Sequence, residues 1–203
     1  MKDFGQLASE EVVQRTIAAL KANGIEAIVV ENKDRAKEKV IELLPKGAEV
    51  MTMASQTLEE TGLTWVVNDS GEYNSVKTKL KTMDRKTQGL EMQKLGAAPE
   101  WAVGSVHAVT EDGKMLIASN TGSQLGAYAY SSAHVIWIVG TQKIVKDVDE
   151  GMKRVYEYCL PHESEKMQKL YNISSNVSKL LIFNKEIKPG RAATILVKEK
   201  VGV

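Results

Sequence analysis

Two hydroxyl-rich segments carry the chemistry that can be read first. Met53-Ala54-Ser55-Gln56-Thr57 follows one apolar run, and Ser119-Asn120-Thr121-Gly122-Ser123-Gln124 follows another. A loop that leaves a strand and opens a helix offers free backbone N–H groups and short hydroxyl donors, the set that holds a phosphate or carboxylate. Ser55, Gln56 and Thr57 supply it in the first segment. Asn120, Thr121, Ser123 and Gln124 supply it in the second, where Gly122 permits close backbone approach and Ser123 is placed to cap a helix. Each segment alone reads equally well as a capped turn. Neither has the Gly-Lys-Ser/Thr of a phosphate-binding loop or the Gly-x-Gly-x-x-Gly of a dinucleotide site.

Glu111 and His107 are the candidate reactive groups. A glutamate beside such a crevice acts as base or nucleophile when burial or positioning activates it. The plainer reading pairs Glu111 with Lys114 across the Asp112-Gly113 turn. His107 stands in a strand near that turn, as a proton shuttle or a satisfied structural group. His107, His134 and His162 lack the close spacing of a local metal motif, so no metal site is expected. The Gly-x-Ser-x-Gly elbow of many hydrolases does not occur.

These groups need elements to position them. Val13, Ile17 and Leu20 repeat at helical spacing and end at Asn23-Gly24; Ile25–Val30 then reads as a strand. Ala36, Val40, Leu43 and Leu44 form the next stripe, and Glu49–Met53 a second strand. Ser55 caps a helix that stops near Gly62. Tyr73, Val76, Leu80, Met83, Thr87 and Leu90 step by three and four along one long helix from Glu72 to Gly96, whose other faces are rich in lysine. Trp101–Thr110 and Met115–Ala118 read as strands joined by the Asp-Gly hairpin. Val135–Val139 is apolar throughout, as a strand buried on both faces requires. Asp147 and Glu150 have capping-box spacing, and Val148, Met152, Val155 and Cys159 give their helix its apolar face. Pro161 begins a further helix, and Lys179–Phe183 and Thr194–Val197 are the last strands. The alternation predicts a three-layer α/β/α fold, a mostly parallel sheet with an antiparallel hairpin, over residues 1–203 as a single domain.

Composition sets the outer limits. The chain has 203 residues, with 27 Lys and Arg against 26 Asp and Glu, and 43% are hydrophobic. Balanced charge argues against disorder and against steering towards nucleic acid. The lysines from Lys77 to Lys86 are not interleaved with aromatic residues, and Asp84 interrupts them, so no nucleic-acid partner is expected. No run is long and apolar enough to span a membrane, and Lys2, Asp3, Glu10, Glu11 and Arg15 leave no signal-peptide core. One cysteine forms no internal disulfide and holds no iron–sulfur cluster, which points to a cytoplasmic protein.

The run Val103-Gly104-Ser105-Val106-His107-Ala108-Val109-Thr110-Glu111-Asp112-Gly113, then Ala118-Ser119 to Gly122-Ser123-Gln124-Leu125, then Val139-Gly140-Thr141-Gln142-Lys143-Ile144-Val145, resembles the LUD (lactate utilisation) domain family. Ser55-Gln56-Thr57-Leu58-Glu59-Glu60-Thr61-Gly62 is similar to that family's Ser-x-Thr-Leu-x-x-x-Gly segment. The likeness covers nearly the whole chain and implies a link with lactate-utilisation protein C. It implies a fold like that of phosphosugar isomerases and CoA transferases, in which hydroxyl-rich loops bind phosphates and a glutamate followed by x-Gly reacts. It also implies a small anionic metabolite (carboxylate, phosphate or CoA type), a place in lactate or organic-acid utilisation, and iron–sulfur partner proteins. It names no cofactor. The chain departs from the usual Glu-Thr-Gly-Thr/Ser in having Lys114 after Glu111-Asp112-Gly113. Two further readings keep the same scaffold. One is an isomerase- or acyl-CoA-transferase-like enzyme using Glu111. The other is a non-catalytic assembly subunit that docks an acidic partner through the basic helix from Lys77 to Lys86, with Lys79, Lys81 and Arg85 as the charges to reverse, or forms a homodimer through the Tyr73–Leu90 stripe.

Overall fold

The computed structural model describes residues 3–203; Met1 and Lys2, and with them the first residues of the charged N-terminal stretch, lie outside it. The chain begins with α1 (Glu10–Ala22), β1 (Glu26–Val30), α2 (Lys33–Leu43) and β2 (Glu49–Thr52). Two short helices, α3 (Gln56–Glu60) and α4 (Leu63–Asp69), lead to β3 (Asn74–Ser75). Then come α5 (Val76–Lys81), α6 (Arg85–Ala97), β4 (Trp101–Gly104), β5 (Ala108–Thr110) and β6 (Met115–Ser119). The rest is β7 (His134–Gly140), β8 (Ile144–Val145), α7 (Val148–Lys153), α8 (Leu160–Tyr171), β9 (Lys179–Phe183) and β10 (Ala192–Val197), with π-helical turns at Ala127–Ser131 and Arg154–Cys159.

Six strands form a wholly parallel sheet in the order β1-β10-β7-β4-β2-β3. The other four form a mixed sheet, β8-β5-β6-β9, in which the expected hairpin is the antiparallel pair β5–β6. Alternate side chains of β7 explain why its sequence is apolar throughout. Val135, Trp137 and Val139 face α1 and the mixed sheet, while Ile136 and Ile138 face α2, α3 and α4. The result is the three-layer α/β/α arrangement, with one face of the parallel sheet sharing its cover between α1 and the smaller sheet.

The structure corrects two readings of the pattern. Trp101–Thr110 is two strands in two sheets: β4 runs parallel between β2 and β7, and the chain then turns through Ser105-Val106-His107 to enter β5. The stretch Glu72–Gly96 is a two-residue strand and two helices. Ser75 and Asp84 interrupt it by accepting the backbone N–H groups of Thr78 and Lys86, each starting a new helix. The single apolar stripe from Tyr73 to Leu90 therefore does not exist; Val76 is buried and Leu90 is exposed. As expected, the helix after Ser55 stops at Gly62, at φ 73°; the chain then continues at once into α4, whose Leu63 and Val67 complete the core.

The helical segment from Val148 runs on through Pro161 to Tyr171 because the π-helical turn widens its hydrogen-bond ladder. Pro161, which has no N–H to donate, then falls at the first positions of α8. The same wider turn shifts the phase of the inward face, so that Arg154 is buried beside Val155 and Cys159.

Gly104 marks the point where the chain changes sheets, and a methyl group there would overlap the hydroxyl of Tyr128 and stand 3.1 Å from Met53 Cβ. Gly104→Ala is expected to destabilise the protein by about 1–3 kcal/mol in denaturant unfolding, the usual cost of overpacking a core. Adding Tyr128→Phe should restore part of that loss. Equal stability of Gly104→Ala and the parent chain would show that the wall has more room than this packing allows.

Candidate functional site

β2, β4 and β7 are parallel and form part of one sheet in the order β7-β4-β2, so their carboxyl ends open on the same rim. Their following loops bring Met53–Thr57, Ser105–His107 and Lys143 to a cavity of about 420 Å³. That volume is within the range that holds small metabolites. The far wall comes from the carboxyl end of β6, from Tyr128 on one π-helical turn and from Val155 and Cys159 on the other. Among the described residues, no group of three or more His, Cys, Asp and Glu is placed to hold a metal.

Lys143 is the centre of the site. It follows β7 on a single 3-10 turn, is only 3% exposed, and donates from Nζ to Thr57 Oγ1 (2.9 Å) and Ser105 Oγ (3.1 Å). Among the described residues it makes no ion pair with a carboxylate. Burial, reinforced by the nearby Arg154 guanidinium, pulls its amine down from 10.5 to about 7. Arg154 is fully buried as well. Its Nη1 donates to the carbonyl oxygen of His107 (2.5 Å) and to Cys159 Sγ (2.9 Å), its guanidinium carbon lies 5.2 Å from the centre of the Tyr158 ring, and Nε and Nη2 have no hydrogen-bond partner. Burial lowers its pKa and raises that of the Cys159 thiol.

His107 lines the cavity with its ring held by Nδ1, which accepts the backbone N–H of Ala118 at 3.1 Å. The neutral ring therefore keeps its proton on Nε2. Burial first, then the charges of Lys143 and Arg154, push its pKa down to about 3, so it is a neutral N–H donor at ordinary pH. The segment Val201-Gly202-Val203 closes one side. Gln142 Nε2 donates to the carbonyl oxygens of Val201 (2.9 Å) and Gly202 (3.2 Å), while Gly202 N–H donates to Glu60 Oε2 (2.7 Å). Only glycine fits at 202, where φ is 66° and a methyl group would overlap Thr57 Oγ1.

The two hydroxyl-rich segments meet at this cavity. Ser55, Gln56 and Thr57 line it from β2, and Asn120, Thr121, Ser123 and Gln124 line it from β6. Ser55 occupies the N-cap position of α3, but its side chain makes no cap hydrogen bond. Gly122 does not line the cavity; at φ 84° it makes the turn, its N–H donating to Ser119 Oγ at 2.8 Å. Ser123 caps no helix; its N–H and Oγ bond to Thr121 Oγ1. Glu111 lies elsewhere. It begins the turn at the other end of the β5–β6 hairpin, about 13 Å of extended chain beyond His107, and its carboxylate pairs with Arg15 on α1. Lys114, expected to pair with Glu111, bonds to Asp112 at 2.5 Å.

No motif marks Lys143, Ser105, Arg154 or Tyr128 as site residues. Position alone could have singled out Lys143: a lysine just after the most apolar strand of a parallel sheet stands where such sheets keep their ligand crevice.

Fold and site together define a three-layer α/β protein with a polar cleft at the carboxyl rim of its parallel sheet. The sequence profile of the LUD domain matches residues 13–201, and the chain belongs to the LUD domain family. Among solved structures it is similar to a DUF162 family protein from Deinococcus radiodurans, with a TM-score of 0.56, 11% identity, and 95% of this chain and 99% of that one covered. That likeness shows the shared fold. A looser match, to eIF2B beta from Chaetomium thermophilum, has a TM-score of 0.40 at 14% identity and covers 58% of this chain and 45% of that one. No curated protein matches the chain.

Enclosing an unpaired lysine opposes folding at neutral pH, because the unfolded chain keeps a proton that the folded one gives up. Lys143→Met is therefore expected to be more stable than the parent at pH 7 in denaturant unfolding, Thr57 and Ser105 retaining the carbonyls of Val201 and Val106 as partners. The parent gains stability as pH rises from about 7 to 10.5, so the gap should narrow across that window. A variant less stable than the parent at pH 7 would show that the amine is compensated in the fold.

Proposed function

We propose that this LUD domain protein binds a small anionic metabolite, a carboxylate or phosphate, in the cleft around Lys143, and serves lactate or related organic-acid utilisation. The observation that carries this reading is the pair of buried cations, Lys143 and Arg154, without a carboxylate partner among the described residues. Uncompensated buried charge of one sign creates a field that an incoming anion relieves. Ser55, Gln56, Thr57, Asn120, Thr121, Ser123 and Gln124 supply neutral donors around it, and His107 adds an N–H without adding charge. Glu111 has no part in this cleft; its carboxylate is committed to Arg15. With a single cysteine, the chain would leave oxidation of a bound acid to an iron–sulfur partner.

Binding should be coupled to a proton. An anion beside Lys143 raises the pKa of its amine, so complex formation takes up a proton above about pH 7 and affinity falls as pH rises from there. Below about 7 the amine is charged in both states and the pH dependence disappears. Calorimetry with lactate, inorganic phosphate, ribose 5-phosphate and acetyl-CoA in buffers of different ionisation heat measures both quantities. At least one anion is expected to bind, with proton uptake above pH 7 and at least tenfold weaker binding in Lys143→Met, about the 1.4 kcal/mol that one charge-assisted hydrogen bond supplies. No heat from any of them, or unchanged affinity in the variant, would remove the proposal.

A further inference from the structure

We propose that Lys143 forms a Schiff base with a small anion carrying an aldehyde or ketone, an oxo acid being the simplest member of the class. This deepens the anion-binding reading and rests on it. The geometry is that of an amine held ready. Lys143 lines the cavity, its Nζ is positioned by the hydroxyls of Thr57 and Ser105, and among the described residues no carboxylate ion-pairs with it. Schiff-base lysines elsewhere are kept reactive by desolvation and a neighbouring cation. Arg154 is that neighbour here, and the lowering of the Lys143 pKa to about 7 leaves a large share of the amine uncharged at neutral pH.

The cavity also separates the tasks. Lys77 and Lys166 line it as well. Lys166 lies 3.7 Å from Glu59, whereas Lys77 makes no ion pair among the described residues and is free to hold the carboxylate of an oxo acid. The Nε2–H of His107 is a neutral donor for the carbonyl oxygen, its Nδ1 being occupied by Ala118.

The step balances without a further reactant. The Nζ lone pair attacks the carbonyl carbon and the π electrons move to oxygen. The two amine protons pass to that oxygen, with the Thr57 and Ser105 hydroxyls as relays. Water leaves, and the C=N bond joins ligand to Lys143.

The test is reductive trapping on the full chain with glyoxylate, pyruvate or 2-oxoglutarate and cyanoborohydride, read by intact mass and peptide mapping, with calorimetry on the same samples. The expected result is about one adduct per chain on the peptide containing Lys143, none with lactate, and a labelling rate that rises with pH through the amine's pKa, which the bound carboxylate holds above about 7, and then levels off. Mapping on the unmodified sequence makes the result independent of whether a variant folds; Lys143→Met is added to show loss of the adduct. Labelling spread evenly over surface lysines, or absent, overturns the Schiff base. If oxo acids give binding heat but no Lys143 adduct, the covalent step alone falls; if they and all other anions give neither, the anion-binding reading falls with it.

Discussion

Enclosing a lysine amine with two hydroxyls and no carboxylate is the constraint around which this protein is arranged. Each unit of pKa is equivalent to about 1.4 kcal/mol, so a fall from 10.5 to about 7 represents several kcal/mol withheld from folding at neutral pH. Domains of this size have roughly 5–15 kcal/mol of stability in total. An apolar residue at 143 would fill the same space without that cost. The amine is kept company by Arg154, equally buried and reaching only a backbone carbonyl, a thiol sulfur and an aromatic face. Arg154 does not itself line the cleft; its charge, with burial, holds the Lys143 amine below its ordinary range, which is the basis of the anion-binding proposal.

The fold supplies the enclosure by simple means. Three adjacent parallel strands deliver Thr57, Ser105 and Lys143 to one rim, because parallel neighbours end on the same side. β4 ends early at Gly104, letting the chain step into the second sheet and bring Ser105, Val106 and His107 to the cavity at the crossing. Each π-helical turn then contributes a wall, Tyr128 from one and Cys159 from the other, and the second also turns Arg154 inward. Such turns are rare in ordinary helices and recur at functional sites.

Much of the scaffold was legible in the residues themselves. Apolar runs bounded by turn residues marked the strands, Asp112-Gly113 marked the hairpin, and the segments around Thr57 and Ser123 do line one cavity. What escaped did so for physical reasons. The run Trp101–Thr110 is buried on both sides of its break, so hydrophobic periodicity does not register that the chain changes sheets; Gly104-Ser105 is the only local sign. In Glu72–Gly96 the three-and-four spacing persisted across two helix starts, and Ser75 and Asp84 as caps outweighed it. Glu111 is a carboxylate on a resembling motif, yet a hairpin has two ends and the cavity is at the other. Lys143 looks like any lysine in a chain with many; its burial without an ion pair among the described residues is a property of three dimensions alone.

The most direct test of that isolation is an NMR titration of the lysine side chains, with the Lys143 signal assigned by its loss in Lys143→Met. One amine should titrate at about 7 and move upward when inorganic phosphate is added. If Lys143 instead titrates with the exposed lysines near 10.5 and ignores phosphate, the amine is neither desolvated nor waiting for an anion, and the account of this cleft is wrong.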